Sequence, residues 1–279
     1  RQAVCRQYGE LSSLLGRAAA ELGEELTPDL AAGRKLRQRL AAQGDGLRGE
    51  AFRDSRGLLR LELTGPACAR LSAGEEAVEL SALLGVPLRL EEQGAESLSL
   101  VQQEPLMAVA GVAARKKDGE TVSGDAGTYF KREDGTLYVL LCDGMGSGPG
   151  AGRESSLAVR LLEQFLMAGV ETGHALATLN SALALRGEEE GGFTTVDLLQ
   201  VDLFTGEGAV YKLGAAPTYV RRGSSVRRIA GSSLPAGLAP SEHAVPDHTR
   251  LRLEAGDCVL MVSDGIAGTG DDAWVRERL

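Results

Sequence analysis

Two apolar runs in this chain each end in Asp-Gly, and this repetition constrains the fold more than any other feature. Residues 137–142 are followed by Asp143-Gly144, and residues 258–263 are followed by Asp264-Gly265. A third acidic glycine turn, Ser123-Gly124-Asp125, lies just upstream of the first run. Each pattern predicts a short carboxylate at the end of a strand, where a turn exposes it. Three such carboxylates that converge would form a site for divalent cations.

The composition places the chain among globular proteins and excludes one class of function. Of its 279 residues 43% are hydrophobic, and the formal net charge is −9. An acidic chain lacks the basic footprint of a nucleic-acid-binding surface, so we expect no nucleic-acid partner. Basic residues cluster at 115–117 and 221–228, where they predict either solvated hairpin ends or a dock for an acidic or phosphorylated partner.

The cysteine and histidine content argues against several kinds of catalytic site. The four cysteines are far apart and form no Cys-x-x-Cys pair, so a zinc site is not expected. With only three histidines, the chain offers few candidates for histidine-based acid–base catalysis. It also has no Gly-x-Ser-x-Gly motif, the nucleophile elbow of α/β-hydrolases. It also shows no apolar run of about 18 residues and no signal peptide, so we expect a soluble, cytoplasmic fragment.

Residues 1–26 have the apolar spacing of an amphipathic helix. The seam advances in alternating steps of four and three residues and consists of Val4, Tyr8, Leu11, Leu15, Ala18 and Leu22. This spacing fits a helix that packs on its own domain, and it equally fits a regulatory helix that dimerises. We therefore expect any homodimer to form through this segment.

Residues 27–104 predict a small α/β regulatory segment. Thr27-Pro28 has the chemistry of a helix start, with Thr as N-cap and Pro as the first helical residue. That helix should end at the Gly44-Asp45-Gly46 break. Alternation and glycine or proline breaks then predict strands at 58–63, 86–90 and 97–101 and a helix at 75–84.

From residue 105 onward the pattern is one of hairpins and a helix pair. Apolar runs and turns predict two helices, at 152–168 and 173–185. They also predict strands at 106–114, 128–130, 137–142, 194–203, 208–213, 218–221, 225–229, 249–253 and 257–262. Successive hairpins, rather than strand–helix–strand units, imply antiparallel sheets with the helices covering one face. The fold class is therefore α+β.

Short carboxylates at glycine turns suit Mg²⁺ and Mn²⁺, which prefer oxygen ligands. Two such ions close together activate water and neutralise a phosphoryl group. A rival pattern is Gly146-x-Gly148-x-x-Ala151, a dinucleotide-binding fingerprint. We favour this oxidoreductase alternative less, because the preceding strand belongs to a predicted hairpin rather than to a βαβ unit.

Several motifs occur in an order that carries a family resemblance. They are Ser123-Gly124-Asp125, Asp143-Gly144-Met145-Gly146 with Gly148-Pro149-x-Ala151, the strand at 192–197, Lys212-Leu-Gly214-Ala-Ala-Pro217, Leu234-Pro235-x-Gly237 and Ser263-Asp264-Gly265. From about residue 106 to residue 279 the chain resembles bacterial members of the metal-dependent protein phosphatase 2C family. Upstream, only the order of the elements is similar.

The resemblance implies an αββα sandwich of antiparallel sheets flanked by helices, with two Mn²⁺ or Mg²⁺ ions between the sheets. By this resemblance Asp143 bridges both ions and is catalytic. The Gly144 carbonyl and Asp125 complete the second site, and Asp264 holds the first ion and is also catalytic. Asp197, inside a strand, is expected to be structural.

The resemblance also implies a substrate and a cellular context. The substrate would be a phosphorylated anti-anti-sigma factor of the STAS type, and hydrolysis of its phosphoserine or phosphothreonine would activate a sporulation sigma factor. The full protein would lie on the cytoplasmic face of the membrane, anchored by a region absent from this chain. The main alternative is an inactive, phosphatase-like scaffold that binds the phosphoprotein.

One departure from the family pattern affects the first metal site. The family carries a further aspartate in an Asp-Asp-x-Thr strand, well downstream of Ser-Asp-Gly. Here Asp271-Asp272 follow Asp264 closely and precede a helical turn, so they are predicted to be helix caps. We expect the domain at 105–279 to lack its C-terminal strand and last aspartate motif. A glycine-rich hinge after Asp143 would let the helix pair move and alter the second site.

Overall fold

The computed structural model describes residues 26–44, 46–116, 119, 122–146, 148–185, 192–238, 245–267 and 272–279. The helix predicted at the N-terminus, and the dimer contact assigned to it, lie outside this part of the chain. The described residues divide into two compact units, which adjoin in sequence at Pro105 and Leu106. No helix in the described ranges has both the length and the apolar run that a membrane crossing requires.

The first unit, up to Pro105, is an antiparallel sheet with two helices. Its described strands and α-helices are β1 (Thr27–Pro28), α1 (Leu30–Gln43), β2 (Arg48–Arg53), β3 (Leu59–Thr64), α2 (Ala73–Leu84), β4 (Leu88–Gln93) and β5 (Ser97–Gln102), with a 3-10 turn at Cys68–Arg70. The strand order is β1-β2-β3-β5-β4. Leucines dominate its core, and Leu36, Leu61, Leu80 and Leu100 are fully buried.

The start of α1 differs from the prediction. Thr27 and Pro28 pair with Arg53 and Phe52 as a short strand, so they are not the helix start. Asp29 is the N-cap instead, and its carboxylate accepts hydrogen bonds from the first free backbone N–H groups of the helix. Aspartate is as good an N-cap as threonine, and pairing with β2 draws the preceding residues into the sheet.

The second unit contains two antiparallel sheets. Its described elements are β6 (Asp125–Lys131), β7 (Thr136–Asp143), α3 (Gly148–Met167), α4 (Thr172–Ala184), β8 (Val196–Asp202), β9 (Glu207–Leu213), β10 (Thr218–Arg222), β11 (Ser225–Ile229), β12 (Asp247–Arg252), β13 (Cys258–Met261) and α5 (Ala273–Arg278). Within the described ranges the larger sheet has the order β12-β9-β8-β7-β6, and the smaller one has the order β11-β10-β13.

Alternation along the strands sorts the side chains of this unit into layers. On β7, Tyr138 and Leu140 pack under the helices α3 and α4. Leu137 and Val139 face the opposite way and pack with residues of the smaller sheet. The outer face of the smaller sheet packs against Val275 of α5. The layers are therefore helices, sheet, sheet and helix, and the predicted αββα sandwich is confirmed.

The strand predicted at residues 106–114 is not formed. Leu106 donates its backbone N–H to the Leu203 carbonyl, but Met107, Val109 and Val112 are at least 80% exposed. A strand requires neighbours for its N–H and C=O groups, and no described strand pairs with this run. Apolar composition alone therefore misled the prediction.

The glycine-rich segment after Asp143 is more ordered than expected. Helix α3 begins at Gly148, four residues before the predicted start, so Gly148–Gly150 are helical rather than a hinge. Pro149 fits the first turn, where its missing N–H costs nothing. In addition, β7 lies between two antiparallel neighbours, β6 and β8, which is the wrong context for a dinucleotide-binding fingerprint.

The basic residues at 221–228 lie on the β10–β11 hairpin, as predicted. Arg222 forms an ion pair of 2.6 Å with Asp257, and Arg228 forms one of 2.6 Å with Asp272. These two guanidinium groups are therefore occupied within the unit, which favours the solvated-hairpin interpretation over a docking site.

Candidate metal centre

Asp125 and Asp143 face each other across the β6–β7 pair. They are direct partners in the strand register, so their side chains emerge on the same face of the larger sheet. Asp143 shares this face with Val139, which packs toward the smaller sheet. Both carboxylates therefore lie between the two sheets, at the end of the hairpin remote from its turn.

The backbone around Asp143 is fixed by β8 and the residues before it. Thr195 accepts a hydrogen bond from the Asp143 N–H at 3.1 Å and donates its own N–H to the Asp143 carbonyl at 2.8 Å. The Thr194 hydroxyl donates to the same carbonyl at 2.9 Å. Sequence reasoning assigned no role to these threonines, although the Thr-Thr pair stood within one of the family motifs.

Gly144 occupies a position where a side chain does not fit. Its N–H donates to the Gly124 carbonyl at 3.1 Å, which joins the two glycine turns. A Cβ at this position would lie 2.1 Å from the Ala151 carbonyl oxygen on α3. Glycine is therefore required by the close approach of the helix, and the turn that carries Asp143 is held against α3.

Asp264 reaches the same region from the smaller sheet. It lies just beyond β13, and its neighbour Ser263 donates a hydroxyl hydrogen bond of 2.9 Å to Asp125 Oδ2. This contact joins the smaller sheet to the larger one beside the carboxylates. The structure thus brings Asp125, Asp143 and Asp264 together. Sequence reasoning missed the role of Ser263, which precedes the second Asp-Gly.

Asp125 and Asp264 disfavour ionisation of Asp143. Burial, followed by the like charges of Asp125 and Asp264, raises the pKa of Asp143 to about 7. Ionising Asp143 therefore places a third negative charge in a confined space. A divalent cation would relieve this repulsion, and the all-oxygen donor set is the kind that Mg²⁺ and Mn²⁺ prefer. The residues present fit such ions.

The described carboxylates do not form a closed ligand cage. Among residues with an assigned position, no three acidic, histidine or cysteine side chains are arranged compactly enough to enclose a metal ion. The carboxylates are close enough to shift a pKa, yet Asp264 is exposed to solvent. An open site of this kind suits a cation that retains several water ligands, as Mg²⁺ does.

A small cavity lies between the sheets beside Asp143 and Asp264. Its volume is about 40 Å³, which is enough for more than one water molecule, since a single water needs about 10–15 Å³. The larger sheet contributes Leu141, Thr195 and Asp197 to its walls. The Gly-Ala-Ala segment at 214–216 and the end of β13 close the other sides.

Asp197 lies inside β8, as the sequence indicated, and is 1% exposed. Its Oδ2 accepts hydrogen bonds from the Thr218 hydroxyl and from the Lys212 ammonium, whose Nζ is 2.8 Å away. Burial raises the pKa of Asp197 and lowers the pKa of Lys212, and each charge partly offsets the effect on the other. The pair is thus a buried ion pair one strand away from Asp143.

Asp272 is not available as a metal ligand. It stands at the N-cap position of α5, but no hydrogen bond to its side chain from the described helix N-terminus is formed. Its carboxylate instead accepts from the Tyr219 hydroxyl and from Arg228, both at 2.6 Å. These partners hold the pKa of Asp272 well below its usual range. The predicted capping role is wrong for this side chain, because charged donors are stronger partners. Asp271 lies outside the described residues.

Comparison with known proteins places these features in one family. The family model "Stage II sporulation protein E (SpoIIE)" matches residues 133–278. Curated relatives of that name are 36% identical over 156 residues in Priestia megaterium and 33% identical over 174 residues in Bacillus subtilis (strain 168). These alignments cover 56% and 61% of this chain but only 26% and 21% of the relatives, so the chain spans about a quarter of their length.

A solved structure shares the fold. It contains the PP2C phosphatase domain and a fragment of the regulatory domain of the cell fate determinant SpoIIE from Bacillus subtilis. The TM-score is 0.62 at 22% sequence identity, and the alignment covers 99% of this chain and 85% of that one. The two-sheet arrangement of the second unit is therefore that of a PP2C domain.

Proposed function

Because this chain belongs to the stage II sporulation protein E family, we propose that residues 105–279 act as a protein phosphatase that depends on divalent cations. The proposed substrates are phosphoserine and phosphothreonine in proteins. The observation that carries the proposal is the convergence of Asp125, Asp143 and Asp264 between the sheets, with the pKa of Asp143 raised to about 7. A PP2C-type domain in the neighbour of the same fold supports it.

Each carboxylate has a distinct role in this proposal. Asp143 would bridge two Mn²⁺ or Mg²⁺ ions, Asp125 and the Gly144 carbonyl would hold the second ion, and Asp264 would hold the first. When bound, such ions supply an activated water and neutralise the charge of the phosphoryl group. The protein orients the carboxylates: Thr195 fixes the backbone of Asp143, and Ser263 hydrogen-bonds to Asp125.

For the partner we propose a phosphorylated anti-anti-sigma factor of the STAS type, whose dephosphorylation activates a sporulation sigma factor. Family membership and the description of the neighbour as a cell fate determinant support this choice. Residues 27–104 would be a regulatory segment, because the neighbour contains a fragment of a regulatory domain and its alignment covers nearly all of this chain. Dimerisation through residues 1–26 and a membrane anchor elsewhere in the full protein belong to the same proposal.

The test is phosphate release from a serine-phosphorylated STAS protein in the presence of Mn²⁺. Asp143→Ala and Asp264→Ala should each lower turnover by more than about 100-fold, beyond the roughly 10–100-fold that losing an outer-shell partner of a metal costs. Asp134→Ala is the matched control, because Asp134 lies at the turn of the same hairpin and pairs with Arg132. Unchanged turnover in either site variant would contradict the proposal.

One observation favours the alternative of an inactive scaffold. Asp272, an acidic residue downstream of Asp264, is engaged by Tyr219 and Arg228 and adds nothing to the first ion site. A scaffold would bind the phosphorylated STAS protein and release no phosphate at any Mn²⁺ concentration. Binding measured by calorimetry, together with a phosphate assay on the same sample, separates the two functions.

A further inference from the structure

One oxygen beside the proposed metal centre has no hydrogen-bond partner within the described part of the chain. Asp197 is 1% exposed, and its Oδ2 is occupied by Lys212 and Thr218. Its Oδ1 is the buried side-chain polar atom without a partner among the described residues. An unpaired buried carboxylate oxygen is costly, so native proteins usually supply a water or an ion to it. The cavity of about 40 Å³ that Asp197 lines has polar side chains, Asp143, Thr195 and Asp264, among its walls and has room for water.

The strand register relates this oxygen to the metal-centre carboxylates. Asp197 is the direct cross-strand partner of Leu141, and Asp143 follows Leu141 by two residues on the same face. Asp197 and Asp143 are therefore diagonal neighbours, for which about 7–8 Å between Cα atoms is typical. Side chains that project in parallel at that spacing leave room for a single water between their carboxylates. Asp264 lines the same cavity.

We propose that Asp197 is a positioning residue of the metal centre. Its Oδ1 accepts a hydrogen bond from a water ligand of the cation held by Asp143 and Asp264, and it thereby orients that water. Lys212 holds the carboxylate by its other oxygen, at 2.8 Å, which leaves Oδ1 available to the cavity that Asp197 lines. This inference rests on the proposed function of the site. It assigns a role at the site to Asp197 on strand β8, and in that role Asp197 does not bind the ion directly.

The arrangement explains why a costly ion pair is placed here. Burying Asp197 and Lys212 in the core is at best weak support for stability, since apolar residues of similar volume often do as well. An outer-shell acceptor, by contrast, needs an oxygen held in one orientation, and a carboxylate fixed by an ion pair supplies one. The Lys212 charge partly offsets the rise that burial causes in the pKa of Asp197, and it counters the negative charge of Asp197 toward the nearby carboxylates.

The experiment measures Mn²⁺ affinity by calorimetry on the whole 279-residue chain. Asp197→Asn preserves the shape and can still accept from Lys212 through its amide oxygen, but it presents an N–H donor to the cavity. We expect it to weaken Mn²⁺ binding by about 10–100-fold. The double variant Asp197→Asn with Lys212→Met removes the ion pair altogether and should bind Mn²⁺ as weakly. If Asp197→Asn alone does not fold, Mn²⁺ affinity is measured on the double variant instead.

Thr218→Val is the matched structural control. It removes one donor to Oδ2 and leaves Oδ1 in place, so it should lower the melting temperature in EDTA while Mn²⁺ affinity stays within about threefold of wild type. If Asp197 serves only as the counter-ion of Lys212, the double variant will regain wild-type Mn²⁺ affinity, and the inference is overturned.

Asp264→Asn separates the inference from the proposed function. Loss of Mn²⁺ binding in Asp264→Asn, with wild-type affinity in both Asp197 variants, overturns only the role of Asp197. No Mn²⁺ binding by the wild-type chain, or unchanged binding in Asp264→Asn, overturns the metal centre and the inference with it. Weakened binding in the Asp264 and Asp197 variants, with Thr218→Val near wild type, supports both.

Discussion

At the scale of single residues, burial and the neighbouring carboxylates disfavour the ionised form of Asp143. Its folded-state pKa is raised to about 7 from the usual 3.8, so without metal the folded protein binds a proton more tightly than the unfolded chain. This group therefore adds stability as the pH falls from about 8 toward 4. Above pH 7 its ionisation opposes folding.

The first prediction follows from the unfavourable ionisation of Asp143 in the folded protein. In EDTA at pH 8, Asp143→Asn should raise the free energy of unfolding by on the order of 1 kcal/mol, because one buried charge is removed and solvent screening reduces the full effect. At pH 5 the gain should shrink, since wild-type Asp143 is then largely protonated. Urea unfolding at both pH values provides the measurement. An equal gain at the two pH values would contradict the electrostatic explanation.

The second prediction concerns Gly144, where the backbone of Ala151 blocks the space that a Cβ would occupy. Gly144→Ala should destabilise the second unit by at least about 2 kcal/mol and weaken Mn²⁺ binding, because the turn under Asp143 must shift. Gly150→Ala, in the first turn of α3, is the control. A Cβ there meets no described atom within 4 Å, so alanine should be neutral or stabilise by up to about 1 kcal/mol. Thermal melts of both variants make the comparison, and similar losses would contradict it.

At the scale of secondary-structure elements, the starts of α1 and α2 offer a matched pair. Asp29 caps α1 through hydrogen bonds of 3.1 and 3.0 Å from Ala31 and Ala32, and it also binds Arg53. Ser72 holds the N-cap position of α2, but its side chain makes no capping hydrogen bond within the described part of that helix.

The third prediction is that Asp29→Ala costs about 1 kcal/mol, whereas Ser72→Ala changes stability by less than about 0.5 kcal/mol. The backbone N–H of Ala32 is the main cause that lowers the pKa of Asp29. A lowered folded-state pKa gives stability that is present above pH 4 and lost as the pH falls further. The difference between the two variants should therefore vanish near pH 2. Urea melts at pH 7 and pH 2 test this, and a difference that persists at pH 2 would contradict the carboxylate cap.

Most elements of the second unit could be predicted from the sequence, because alternation and turn residues are local signals. The strand at 225–229 has the predicted bounds, and the Asp-Gly strands are β7 and the β13 region. Strand β2 was missed, since its Gly49 and Ala51 carry a weak apolar signal. The run at 106–114 was assigned wrongly, because a strand depends on a partner that its own residues do not specify.

The carboxylates of the candidate site could be predicted from the sequence, but the residues that contact them could not. The three carboxylates were identifiable from their glycine turns, and the structure brings them together; their role as metal ligands stays a prediction. Thr195, Ser263 and Lys212 could not be assigned roles, because strand register decides what each one contacts. Register depends on pairing between distant segments rather than on local pattern.

At the scale of the whole molecule, the two compact units provide separate spectroscopic signals. The sequence has one tryptophan, Trp274 in α5, so tryptophan fluorescence reports the second unit. Far-ultraviolet circular dichroism reports helices and strands of both units.

The fourth prediction uses this difference. Mn²⁺ at about 100 times its dissociation constant should stabilise the second unit by about 2.7 kcal/mol through mass action. The fluorescence transition should move to higher temperature, while a transition from the first unit, visible only by circular dichroism, stays in place. Asp264→Asn should abolish the shift. If the fluorescence and circular dichroism transitions move together, the metal stabilises the chain as one cooperative body.

The hydrogen bond from Ser263 to Asp125 has a consequence for the order of events during synthesis. It joins residues 138 positions apart. At about 5–20 residues per second, Asp125 is made roughly 7–28 s before its partner. Until that interval ends, a nascent chain contains at most Asp125 and Asp143 and lacks Asp264, the third carboxylate. In the proposed metal centre, the first ion, which Asp264 would hold, would therefore bind only after most of the domain has been made. It would be a late addition to a nearly finished scaffold and not a nucleus around which the chain collapses.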